Sequence, residues 1–194
     1  MHTDRPGLRP RVRRRAQRGV AAVEFALGAM LFFVFVCGLM EVARALYLWT
    51  TMVEVTRRAA RMAAYTDLKD PAAIDQLLRR AMFGADTVPL GGSGLSKANL
   101  NLDYLNSAMT PVEPRHCAAQ NVINCYADPY GASCIRFVRV RLCAAGGGAL
   151  CQPLVYTPLV GIDFGDAALH YPSFSTLVPA GTLGHQNGQS ANCP

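Results

Sequence analysis

The chain has 194 residues and a formal net charge of +6, from 19 basic and 13 acidic side chains. Residues 1–18 hold seven arginines against one acid, Asp4, so this stretch carries the whole +6 and the remainder is neutral. That excludes a nucleic-acid binder, which needs basic residues spread over a folded face. Apolar residues make up 51% and charged residues only 16%, below the roughly 25% of soluble domains. Such a composition excludes disorder and points to a membrane segment joined to one modest domain.

An apolar run, VAAVEFALGAMLFFVFVCGLM over residues 20–40, follows the basic leader directly, with Glu24 as its one charge. Phe25 to Met40 is 16 uncharged residues, about 24 Å at ~1.5 Å per residue, against a hydrocarbon core of ~30 Å. Counted from Val20 the run is 21 residues, long enough to span. Seven arginines before the run, Arg13, Arg14, Arg15 and Arg18 nearest to it, outweigh Arg44, Arg57, Arg58 and Arg61 after it, which Glu41 and Glu54 offset. This bias places the N-terminus in the cytoplasm and the rest of the chain on the far side. Three readings fit the region. One is a cleaved secretory signal, with Ala43-Arg44-Ala45 as an A-x-A site, although the helical pattern runs past that cut. Another is a plain signal anchor, which leaves Glu24 without a role. The third is a prepilin-type leader, which gives it one.

The string Arg18-Gly19-Val20-Ala21-Ala22-Val23-Glu24-Phe25-Ala26-Leu27 resembles the leader junction of type IV prepilins. It is most similar to the TadE/TadG-like pseudopilins of the tight-adherence (Tad) pilus system, over about residues 15–60. The resemblance implies that a prepilin peptidase cuts after Gly19, leaving Val20 as the new N-terminus. Glu24 and Phe25 then become the fifth and sixth residues of the mature chain. Independently, an ionisable side chain inside an apolar helix is costly and calls for a partner. An α-amino group created at Val20 of a neighbouring subunit is one: opposite unit charges at 4 Å attract by about 4 kcal/mol at an effective dielectric near 20. The plainer reading of Glu24 is an acid in a first helical turn, favoured by the helix dipole by roughly 0.3–1 kcal/mol.

Helical periodicity continues beyond the run. Val42, Leu46, Trp49, Val53, Ala60 and Ala63 form an apolar stripe, and Arg44, Thr51, Glu54, Arg58 and Arg61 form the opposite face. Glu41–Arg44 and Glu54–Arg58 sit at favourable spacings, so one helix is expected from Val20 to Thr66. Asp70-Pro71 reads as an N-cap and first helical residue, opening a second helix whose Ile74, Leu77, Leu78, Ala81 and Met82 share a face and whose stop is Gly84. Leu90-Gly91-Gly92-Ser93-Gly94 reads as a turn or linker. The period then becomes two: Leu100, Leu102 and Tyr104 alternate with polar residues, as do Val138, Val140 and Leu142 with Arg139 and Arg141. Leu154–Val160 is a weaker edge strand because of Pro158. From Gly181 the tail has little to bury and is expected to be loose unless Cys193 ties it down. The expected fold class is α+β: a long N-terminal helix, transmembrane then amphipathic, carrying a small antiparallel β-rich head.

Of seven cysteines, Cys37 lies in the apolar run as a small hydrophobe. Cys117, Cys125, Cys134, Cys143, Cys151 and Cys193 lie in the head. An even number beyond a membrane segment indicates disulfides in an oxidising compartment, with Cys143–Cys151 and Cys117–Cys125 as local staples among the pairings open. Zinc is disfavoured, since there is no CxxC and His116 is the only nearby histidine. No catalytic constellation emerges. GGSGL at 91–95 misses the nucleophile elbow. Asp163-Phe164-Gly165, Asp163 with Asp166, Gly146-Gly147-Gly148, His170 and His185 all lack the partners their chemistry requires.

The resemblance implies a minor pilin or pseudopilin, acting by assembly and not as an enzyme, with no cofactor, metal, nucleic acid or small-molecule substrate. Its expected partners are a prepilin peptidase, other Tad pilins and the inner-membrane assembly platform. Four segments are expected: a leader at 1–19, a transmembrane segment at 20–40, an amphipathic continuation with the second helix at 41–84, and a Cys-rich head at 85–194. The chain would sit in a bacterial inner membrane as a single-pass protein with its head in the periplasm. A secreted or periplasmic domain released near Ala45, and a signal-anchored envelope protein, are the alternatives.

Overall fold

The computed structural model describes residues 18–88, 94–113, 116–145, 151–159 and 170–186. Its first element, α1 (Arg18–Ala63), is an unbroken helix of 46 residues, consistent with a stretch free of proline whose three glycines all lie before residue 39. The chain divides into two compact units, residues 1–40 and 41–194. The described part of the first is the apolar half of α1. It is long and apolar enough to cross a membrane, and none of its most apolar window is buried.

The second unit holds the remainder. After α1 come α2 (Pro71–Ala81), a 3₁₀ turn (Lys97–Asn99), β1 (Leu100–Leu105), α3 (Ala118–Ala127), β2 (Phe137–Leu142) and β3 (Ser175–Pro179). The sheet is antiparallel throughout in the order β1-β2-β3, with Tyr104 opposite Val138 and Val138 opposite Val178. The fold is α+β, with two disulfides among the described residues. Cross-strand charges complete the sheet's outer face, where Asp103 takes Arg139 and Arg141, each at 2.9 Å.

One core joins this unit. Leu48, Met52, Val55, Ala59 and Ala63 of α1 pack with Leu77 and Met82 beyond α2's first turns and with Tyr104, Val138 and Val140 of the sheet. Thr176 of β3 donates to buried Thr56 of α1 at 3.1 Å. This corrects the expected apolar stripe. Ala60 and Ala63 are buried as expected, but Val42, Leu46 and Trp49 stay exposed, and in this first part the buried row lies one residue round, about 100° away on the helix. Arg44, expected on the outer face, is 10% exposed and turned into the second unit. Residues 42–55 are apolar on so many sides that period alone selects no single stripe.

Elsewhere the local chemistry explains the elements. The Asp70 side chain accepts from the amides of Ala72 and Ala73, with Pro71 at the first helical position. Gly84, at φ +84°, donates to Arg79 O to end α2. Residues 154–159 form no strand; Val155 makes a single bridge to His170, and Val160 lies outside the described residues. The tail is not loose as far as it is described. Gly181 and Leu183 both donate to Ala64 O, and Leu183 is buried. A Cβ at Gly181 would come within 2.7 Å of that oxygen, so glycine is what lets the strand approach the end of α1.

Candidate functional site

The residues of the leader junction lie in the first turns of α1. Arg18 is its first residue, while Arg13, Arg14 and Arg15 lie outside the described residues. Gly19 stands in open space, and a Cβ there would meet nothing within 4 Å. Val20 and Phe25 are exposed, and so is Glu24. Phe25 is, among the described residues, the most exposed of this unit's large apolar side chains, at 78%. Among the described residues Glu24 has no hydrogen-bonding or ionic partner. A carboxylate placed four residues after Val20 on a helix with apolar neighbours has nothing among the described residues to neutralise it.

A second polar centre lies where the apolar run ends. Glu41, the residue after Met40, accepts from three donors: the Tyr156 hydroxyl, Arg44 Nη1 at 2.8 Å and the Leu159 amide at 3.3 Å. Arg44 also donates to the Tyr156 hydroxyl at 3.0 Å and to Thr157 O at 3.2 Å, and its guanidinium lies 5.3 Å from the centre of the Tyr156 ring. Tyr171 meets Tyr156 edge to face at 5.6 Å. Burial raises the Glu41 carboxyl, but hydrogen bonds from Tyr156, Arg44 and Leu159 outweigh it and hold the group below its usual value. Burial, and next the Glu41 hydrogen bond, push the Tyr156 phenol up to about 12. An acid and a base that would otherwise face solvent singly are thus matched within one closed cluster. The i,i+3 spacing of Glu41 and Arg44 was visible in the sequence. Tyr156 and Tyr171, more than a hundred residues away, carried no signal of their role.

The cysteines pair Cys125 with Cys134 and Cys143 with Cys151. The alternative staple Cys117–Cys125 is not formed. Cys117 caps α3 and Cys125 lies within it, eight residues along a helix or about 12 Å of rise, beyond the reach of a disulfide. Cys117 is itself disulfide-bonded, Cys193 lies outside the described residues, and Cys37 is a free, exposed thiol on the apolar helix. Asn121 secures the loop of the first pair by accepting from the Ile135 amide at 2.8 Å and donating to its carbonyl at 3.3 Å. Among the described residues no three His, Cys, Asp or Glu side chains gather as a metal would require. His170 is exposed and bridges Val155 through its backbone, and His185 closes the turn after Leu183. Residues 146–148, 163 and 166 lie outside the described residues.

No curated protein and no solved structure matches the chain. Residues 19–61 match the family described as TadE-like protein. They take in Gly19, Val20, Glu24 and Phe25, the apolar half of α1 and most of its buried row. The similarity is confined to this N-terminal segment of the chain.

Proposed function

We propose that the chain is a component of a Tad-type pilus, a minor pilin or pseudopilin that works by assembly. One observation carries this reading: the TadE-like match begins at Gly19 and covers an apolar helix whose Glu24 has no partner among the described residues. In this reading a prepilin peptidase removes residues 1–19 and exposes the Val20 amine. Glu24 then pairs with the amine of a neighbouring pilin, which fixes helix register because a carboxylate buried without its partner is penalised. The helix anchors the chain in the inner membrane, N-terminus inward, until it is drawn into a filament. Partners are accordingly the peptidase, other pilins and the assembly platform; the matched family is structural, and no reaction is assigned.

Release by signal peptidase at Ala45 is disfavoured by two features of the second unit. Such a cut falls inside α1, three residues before fully buried Leu48, and would remove both Glu41 and Arg44 from the cluster that holds Tyr156. N-terminal sequencing of the protein from its own membranes tests the proposal. A start at Val20 is expected. A start at Leu46 or an intact Met1 would refute it.

A further inference from the structure

We infer that the surface around Glu41, made by Val42 and Leu46 of α1 and by Val155 and Leu159 of the loop that Glu41 holds, rests in the interfacial zone of the lipid bilayer. The inference builds on the reading of residues 20–40 as a membrane span.

The uncharged run Phe25–Met40 gives about 24 Å of helix, some 6 Å less than the hydrocarbon core. A short span draws its flanking residues toward the headgroups, so the turn beginning at Glu41 is the part of the second unit that lipid meets first. That turn is built for such a place. Its two charges, Glu41 and Arg44, are 19% and 10% exposed and bonded to each other, and the Tyr156 hydroxyl and ring close over both. Charges so matched enter a low-dielectric boundary at far lower cost than free ones. Around them the surface is apolar. Val42 and Leu46, which belong to the stripe that the core leaves uncovered, are 58% and 53% exposed. Leu159 is 66% exposed although its amide is tied to the Glu41 carboxylate, which fixes this leucine beside Glu41. Val155, in the same loop, is half exposed. Tyr156 and Tyr171 are buried behind this surface and hold its loop from within. The disulfide Cys143–Cys151 anchors the loop three residues before Leu154.

The test uses the full chain in phosphatidylcholine vesicles. Trp49 is the only tryptophan, so Trp49→Phe provides a silent background for single probes at Leu159→Trp, Val155→Trp, Phe33→Trp and Tyr126→Trp. Retention of the head disulfides in each variant verifies folding. With lipids brominated high on the acyl chain, Leu159→Trp and Val155→Trp are expected to be blue-shifted and quenched by more than half the extent of Phe33→Trp. Tyr126→Trp, on the outer face of α3, is expected to stay unquenched. Loop probes that behave like Tyr126→Trp while Phe33→Trp is quenched would overturn the inference and leave the span reading standing. Loop probes that are blue-shifted yet unquenched would show a protein occupant, such as a second copy, and also overturn it. An unquenched Phe33→Trp would remove the span reading and the inference together.

Discussion

Replacing Tyr156 with phenylalanine isolates the contribution of the cluster at Glu41. The ring is retained, so its edge-to-face contact with Tyr171 at 5.6 Å and its place under the Arg44 guanidinium are unchanged. Only the hydroxyl is lost, and with it the donor to Glu41 and the acceptor for Arg44 Nη1. A hydrogen bond to a charged group contributes about 1.5–3 kcal/mol. Here Arg44 and the Leu159 amide still serve the carboxylate, and its 19% exposure admits water, so the lower end of that range applies. Near 1.5 kcal/mol, for a unit of 154 residues, corresponds to a fall in Tm of about 3–6 °C. Thermal unfolding of the full chain in detergent micelles, followed by near-ultraviolet circular dichroism, measures it at pH 7. A shift under about 1 °C would show that the cluster is not closed as described, and would refute the argument that Glu41 holds the 154–159 loop.

The same tyrosine gives a pH signature: because its pKa is raised from 10 to about 12, its stabilisation is complete below pH 10 and is lost as pH rises through 12. Absorbance titration at alkaline pH should find a phenol ionising near 12 that Tyr156→Phe abolishes, beside that of Tyr171, which burial also raises. Glu41 works in the opposite direction, its lowered pKa giving stability that is present above about 4.5 and falls away below it, so Glu41→Gln should flatten the acid limb of the stability curve. Gly184 and Gly84 share φ +84°, but a Cβ at Gly184 would sit 2.6 Å from Asp67 Cα whereas at Gly84 it meets open space. Gly84→Ala is therefore expected to cost about 1 kcal/mol and Gly184→Ala at least twice as much by urea unfolding. Opening the Cys143–Cys151 bridge with a paired serine substitution should cost about 2.5 kcal/mol by the loop-entropy relation, read as a lower Tm. Glu24→Gln should leave cleavage after Gly19 intact, checked by N-terminal sequencing, while reducing pilus formation seen by electron microscopy.

The parts legible in the sequence were those with a local cause. Asp70-Pro71, Gly84 and the period-two runs at Leu100 and Phe137 each act through neighbours a few residues away, and α2, β1 and β2 followed from them. β3 escaped because Ser175–Pro179 has one exposed leucine, two polar residues and a proline, and becomes a strand only because β2 offers a free edge. α3 escaped because AAQNVINCYA has a modest apolar face, held in place by a disulfide and by the grip of Asn121 on Ile135. The expected stripe on α1 holds at Ala60 and Ala63 and fails in its first half for a deeper reason. Between Val42 and Val55 apolar residues occupy adjacent stripes, and only the tertiary partner decides which is inside. The head chose Leu48, Met52 and Val55, which left Val42, Leu46 and Trp49 outside.

That choice bears on how the two glutamates flanking the apolar run differ. Glu41 could be expected to be a solvated acid on a surface helix, yet its own chain supplies a hydroxyl, a guanidinium and an amide to it. Glu24 begins the same helix among exposed apolar side chains, and among the described residues it receives no donor. The described residues match one of these carboxylates fully and place no comparable set of donors around the other. For Glu24 no donor stands among the described residues, and in the proposed reading a cut after Gly19 creates a cation four residues away on every copy. The physical requirement at Glu24 and the TadE-like match at Gly19 therefore lead to the same expectation, that this helix reaches its neutral, buried state only beside other helices of its kind.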